Sequence, residues 1–342
     1  MLAPVFRARA ALADPRRFAR VTLVALAGLW LIVPSGAAVR LTASGLGCPD
    51  WPLCNGGVVP ASAAHAWIEF TNRLLSGLVM AVCVATWWIA RAIPGRPAGV
   101  RRWAAAAALA TVGQVPLGAV TVAFDLHPLL VASHFLLSMV ALGCGTVLAL
   151  RARDLARGTA RGWDRRHGPL AALTACALGS ALVTGVLVTA AGPHSGDASV
   201  IRRYGRLDHA AYVHVRAVFA FAALALVLVA WLWRERVGDL ATRRLGLAFL
   251  PLIGLQIALG EYQYRHRLPS SVVALHVSVA GLCWAVGVAL AWRVLRPELA
   301  PEPAPRQRRL AADDWQPTQR TASGTAASRA SGIGPPQSTQ TP

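Results

Sequence analysis

Lysine is absent from this chain: all 34 of its basic residues are arginine, set against only 15 aspartates and glutamates. The exclusive use of arginine reflects genome composition rather than phosphate recognition, and a carboxylate inside an apolar stretch has no ammonium group to pair with. Charge of either sign is scarce, at 14% of 342 residues, while 55% are hydrophobic and the mean hydropathy is +0.49. That balance excludes a soluble protein of this length and predicts a polytopic membrane protein. Also missing is a small-residue cleavage site after the first apolar run. Arg7, Arg9, Arg16, Arg17 and Arg20 precede that run, so it is expected to be a first membrane span rather than a removed signal peptide. A net charge of +19 would suggest nucleic acid in a soluble domain. Here the arginines sit in short loops between apolar runs, and no nucleic-acid binding is expected.

Eight apolar runs of about 20 residues, each long enough to cross a bilayer as a helix, fall at roughly 21–39, 67–90, 103–124, 129–150, 169–190, 209–233, 245–264 and 272–292. Nineteen arginines lie in the N-terminal arm and the loops 91–102, 151–168 and 234–244, against six in the opposite loops. This excess predicts both termini cytoplasmic, and the membrane expected is a bacterial plasma membrane. Trp67, Trp87, Trp88, Trp103, Trp231, Trp233 and Trp292 stand near span ends, where amphipathic rings meet the membrane interface and its lipid. The expected organisation is an arm (1–20), a four-helix bundle (21–150), a cytoplasmic linker (151–168), a second four-helix bundle (169–296) and a disordered cytoplasmic tail (297–342).

The two bundles are predicted to be copies. Within the stretches 113–140 and 254–281 the sequence repeats at an offset of 142 without a gap, which places Gln114 on Gln256, Gly118 on Gly260 and His134 on His276. The same offset carries Asn72 onto His214. Asn72, His134, His214 and His276 each fall about six residues into an even-numbered span, at one depth. Spans 2 and 4 run in the same direction, as do 6 and 8, so within each copy the marked positions can face each other across a bundle, a standard place for a cofactor. Two opposed neutral imidazoles suit the iron of a haem. A single histidine near a helix end is more often a packing residue, but its repetition favours ligation. His65, His127, His194, His209 and His266 are expected in loops or at their edges. Gln114 and Gln256 are expected to bond across helices, with a cofactor propionate as the other partner for such a group.

Glu69 is the only acid in the second span, three residues before Asn72 and on the same helix face. It is either a functional carboxylate or one neutralised by Arg73. Its counterpart in the second copy is Ala211, so the two halves are not equivalent. Cys48 and Cys54, in the stretch GLGCPDWPLC of the first outer loop, can close a disulfide, as a structural clasp or as a redox pair. Cys83, Cys144, Cys176 and Cys283 read as small packing residues within spans.

The loop TASGLGCPDWPLCNGGVVP, the stretch IEFTNRLLSG and a histidine in each of spans 4, 6 and 8 resemble the haem A synthase family over about residues 20–295. The resemblance implies an enzyme that oxidises one methyl group of haem O to a formyl group, consuming oxygen and reducing equivalents in successive hydroxylations. It implies a haem b held by His214 and His276, a substrate iron held by His134, Glu69 as the catalytic carboxylate, and a Cys48–Cys54 disulfide. A haem O synthase and oxidase assembly factors are the partners it suggests, with an electron donor that the residues do not identify. The alternatives are a b-type haem electron carrier without oxygenase activity and a secondary transporter. The first gives no reason for Glu69, and the second usually places its site near the midplane. One position departs from the family pattern: Asn72 stands where many relatives have histidine, and an amide is a poor iron ligand beside imidazole. The expected arrangement is substrate iron on His134 alone or with water, and Asn72 hydrogen-bonding nearby. Replacing Asn72→His should then give six-coordinate, low-spin substrate iron, checked by absorption spectroscopy with substrate bound.

Overall fold

A computed structural model describes residues 3–298 except 61–62, 96, 194–195 and 198–202. The chain divides into two units, and the second, 300–342, lies outside the described residues, as does His194. The described part of the first unit is helical: α1 (Ala3–Leu12), α2 (Pro15–Leu41), α3 (Ala64–Ala90), α4 (Ala98–Ala123), α5 (Pro128–Arg157), α6 (Gly168–Ala191), α7 (Leu207–Arg234), α8 (Leu240–Arg265) and α9 (Ser270–Leu295). Helices α2 to α9 are long and apolar enough to cross a membrane, and the chain is a multi-pass membrane protein.

Local chemistry, rather than hydropathy, sets several helix ends. Asp14 accepts from the backbone N–H groups of Arg16 and Arg17 and Pro15 follows it, so α2 starts well before the apolar run. His127 and Pro128 open α5 in the same manner, and Gly158, at φ 66°, closes it in the left-handed conformation that suits glycine. The arm contains the short helix α1, which lies against α3: Arg9 donates to the Trp88 carbonyl at 3.1 Å and its guanidinium stacks over the Trp88 ring.

Helices α2, α3, α4 and α5 touch in a closed ring, each against its neighbours, and α6, α7, α8 and α9 do the same. The diagonal pairs α3/α5 and α7/α9 do not touch. With neighbouring axes 8–10 Å apart, diagonal axes lie roughly 11–14 Å apart, room for two long side chains and a flat group between them. The halves meet through α2 with α9, α5 with α6 and α5 with α9. Two indoles fasten this seam: Trp30 donates to the Ser278 carbonyl at 3.2 Å and Trp284 to the Met139 carbonyl at 2.7 Å.

Each ring is filled solidly toward the face that carries the arm. Phe18, Ile93, Val100 and Leu148 are buried there in the first ring, and Leu228, Leu232, Phe249 and Leu290 in the second. Two ion pairs close this face. Arg161 grips Asp154 through two bonds of 2.7 and 2.9 Å and donates to the Arg296 carbonyl, and Arg293 grips Asp239 at 2.7 and 3.0 Å. Pro297 and Glu298, expected to open the tail, are tied to the linker: the Pro297 carbonyl accepts from Gly162 and Glu298 bridges to Arg161, while the rest of the expected tail lies outside the described residues. Partial burial raises the Asp239 pKa, but hydrogen bonds from the Thr242 hydroxyl and backbone N–H and from Arg293 outweigh it and leave the value at about 2. A carboxyl held below its unfolded value of about 3.9 contributes stability that is complete above that value and lost as pH falls toward 2. Thermal unfolding in detergent should therefore lose more midpoint temperature between about pH 4 and pH 2 in the native protein than in Asp239→Asn.

Candidate functional site

The four marked side chains stand at the end of the rings opposite the arm. Each lies six to eight residues beyond the first residue of its helix, about 9–12 Å along the axis. Asn72 and His134 occupy the diagonal helices α3 and α5, and His214 and His276 occupy α7 and α9. All four are half-buried. Glycine makes room for the imidazoles: a Cβ on Gly118 would sit 3.4 Å from His134 Cε1, one on Gly260 3.2 Å from His276 Cε1, and one on Gly185 3.0 Å from His214 Cε1. The duplicated Gly118/Gly260 pair thus has a steric cause.

The duplicated glutamines do the same work twice. Gln114 Nε2 donates to the His134 carbonyl at 3.1 Å and to Ser138 Oγ at 2.7 Å, and Gln256 Nε2 donates to the His276 carbonyl at 3.1 Å. These are the expected bonds across helices, here α4 to α5 and α8 to α9. Gln256 Nε2 also lies 3.1 Å from His276 Nε2, which leaves Nδ1 as the unpartnered nitrogen of that ring, as it is in His134. In His214 the Thr184 hydroxyl lies 3.2 Å from Nδ1.

Buried nitrogens without a partner are costly unless something else completes them. Among the described residues no cluster of three or more His, Cys, Asp or Glu could bind a bare metal ion. A metal already held in a macrocycle needs only one or two protein ligands, and diagonal imidazoles with free nitrogens fit that requirement. A porphyrin therefore fits the second ring through His214 and His276, and fits the first through His134.

In the first ring the partners differ. Ser35 Oγ of α2 donates to Asn72 Oδ1 at 2.9 Å. Glu69 is buried, forms a short ion pair with Arg73, and accepts at 2.8 Å from the Cys48 backbone N–H. Arg73 also donates to the carbonyls of Cys48 (2.7 Å) and Leu53 (3.2 Å). Cys48 and Cys54 are disulfide-bonded and pack with Ala66 and Phe70. The carboxylate is thus gripped by the disulfide loop. Two glycines let that loop close: a Cβ on Gly45 would sit 2.9 Å from the Gly196 carbonyl oxygen, and one on Gly47 2.6 Å from the backbone of His65. Gly45 also donates to Gly196 at 2.7 Å, tying the loops of the two halves together.

Among the other described histidines, His209 and His266 are exposed, His65 is exposed with its Nδ1 2.9 Å from Ser44 Oγ, His127 caps α5, and His167, at the arm end of the second ring, pairs with Asp164 at 2.7 Å. Two residues escape a reading based on the 142 offset, Ser35 and Thr184. Each begins a hydroxyl-glycine dipeptide, Ser35-Gly36 and Thr184-Gly185, and each bonds the marked residue of the next span. The separation is 37 residues in the first half and 30 in the second, so the longer first loop hides the correspondence.

Against known proteins, residues 19–192 match the family model described as cytochrome oxidase assembly protein. The chain belongs to that family. It is 33% identical to the haem A synthase of Bacillus licheniformis over 133 residues, 37% of this chain and 42% of that protein. It is 32% identical to that of Lysinibacillus sphaericus over 131 residues (37% and 42%), and 29% identical to that of Shewanella oneidensis over 152 residues (39% and 44%). The chain thus spans about two fifths of the length of the curated relatives it matches. The family match takes in the first ring from Ala19 of α2 onward, the disulfide loop and α6. Because backbone cannot yield as a flexible side chain does, Gly47→Ala should cost about 1–3 kcal/mol. The readouts are a lowered unfolding temperature and faster reduction of the Cys48–Cys54 disulfide than in the native protein.

Proposed function

We propose that this chain is a haem A synthase of a bacterial plasma membrane, with both termini cytoplasmic and the disulfide loop outside. Its first ring takes haem O as substrate with His134 on the iron, and its second ring keeps a haem b between His214 and His276. The observation that carries the reading is an imidazole backed by a glycine at three of the four diagonal positions, with buried, unpartnered Nδ1 atoms on His134 and His276, in a member of this family. Bound haem would supply redox chemistry at iron, and the electron donor would feed the second ring. Conversion of methyl to formyl takes two hydroxylations, each using one dioxygen, two electrons and two protons and releasing one water. The resulting geminal diol then loses water.

The side chains contribute orientation and charge. His214 and His276 would hold the second-ring group, and Thr184 and Gln256 hold their imidazoles in place. Glu69 accepts hydrogen bonds on both oxygens, from Arg73 and Cys48. That arrangement suits stabilisation of positive charge at the carbon being oxidised better than proton donation. The Cys48–Cys54 loop covers Phe70 and the start of α3, limiting water at that end of the ring. Haem O synthase and oxidase assembly factors are the partners expected to deliver substrate and receive product.

Pigment extracted from cells that express this chain and are supplied with haem O should contain haem A. If it does not, while a low-spin haem b is present, the protein is the electron carrier instead. Glu69→Ala should lower haem A yield by roughly a hundred-fold and leave the haem b spectrum in place, whereas His276→Ala should remove that spectrum. Normal formyl product from Glu69→Ala would rule out its assignment.

A further inference from the structure

The two rings present the same local frame with one side chain changed. In the second, the hydroxyl-glycine step of α6 faces His214: Thr184 bonds the ring and Gly185 lies against its Cε1, 3.0 Å from the position a Cβ would take. In the first, the matching step of α2 faces Asn72. Ser35 bonds the side chain, but a Cβ on Gly36 would meet no atom within 4 Å. Gly36 continues the inward stripe of α2 that buries Leu29 and Val33, and Asn72 continues the stripe of α3 that holds Glu69 and Val79. Both therefore face the ring, and the volume that an imidazole edge fills in one half is open in the other. Ser35 also fixes the amide: its hydroxyl, 3.1 Å from the Ile32 carbonyl, donates to Asn72 Oδ1. The Asn72 NH₂ group has no partner among the described residues.

We propose that Asn72, Ser35 and Gly36 form a binding site for a small neutral exogenous ligand on the face of the first-ring porphyrin opposite His134. The ligand class is imidazole-sized or diatomic, binds iron through a lone pair, and accepts or tolerates a hydrogen bond from the Asn72 amide. The proposal rests on the reading that His134 holds iron in the first ring. Asn72 is then a positioning residue. It replaces a fixed protein ligand with an open position and an N–H donor, and it makes the first ring reactive where the second is closed on both faces.

The test uses the full chain, purified in detergent with haem in both rings, and reads iron by absorption and electron paramagnetic resonance spectroscopy. Part of the ferric haem should be high-spin, added imidazole should convert only that part to low-spin, and carbon monoxide should bind one of the two haems after reduction. Asn72→His should be low-spin without imidazole and lose carbon monoxide binding. Gly36→Leu should raise the imidazole concentration required by roughly ten-fold or more, with the low-spin second-ring signal as the check that the protein is folded. Ser35→Ala should keep carbon monoxide binding but shift the C–O stretching frequency, since the amide is no longer held. Fully low-spin haem in the native chain, or an imidazole response unchanged in both Asn72→His and Gly36→Leu, overturns the proposal and leaves the proposed function standing. Haem found in the second ring alone overturns the first-ring assignment itself.

Discussion

A glutamine amide hydrogen-bonded to the backbone carbonyl of a histidine, on the neighbouring helix, is the contact on which both halves depend. A polar side chain inside an apolar bundle needs a partner, and each such bond contributes only about 0.6 kcal/mol on average. Its value here is positional. It pins α4 to α5 and α8 to α9 at the depth where the imidazoles turn inward, while Gly118 and Gly260 let the rings pass. The rest of each ring can then be filled with ordinary apolar packing on the arm side, away from that depth.

The two halves put this common frame to different use. In the second, both diagonal positions carry histidine, Ala211 matches Glu69, and the acid of α7, Asp208, is exposed in the first turn and paired with Arg206. In the first, an amide replaces one imidazole, and an acid three residues earlier is clamped by an arginine and by the backbone of a disulfide loop. On the proposed function the second site would retain its group and the first would exchange one. The loop bonds between Gly45 and Gly196 hold the two kinds of site in one body.

Much of this was legible in the sequence because helical spacing and an ungapped repeat are both one-dimensional signals. The eight spans, the common depth of the four marked residues and the cross-helix role of Gln114 and Gln256 follow from them, while the Cys48–Cys54 pairing was open on spacing and came from the family resemblance of its loop. Other features have no such signal. The grip of Cys48 on Glu69 is made by a backbone N–H, which any residue type could supply. Ser35 and Thr184 were hidden because the first loop is longer than its counterpart, so a fixed offset misses them. Helix ends followed caps such as Asp14 and Gly158 rather than the limits of apolar runs, and the pair Arg293–Asp239, 54 residues apart, required the closed arm face to form.

The seam between the halves has a symmetry of its own. The first helix of each ring touches the fourth helix of the other, and the two fourth helices touch each other. That is the isologous pattern by which identical subunits pair about a two-fold axis. Fusion into one polypeptide has freed the seam from the self-complementarity a true dimer would require: Trp284 reaches across to Met139 from a position whose twin is Leu142. A half-length ancestor could have dimerised through this surface, but the present halves can no longer substitute for one another.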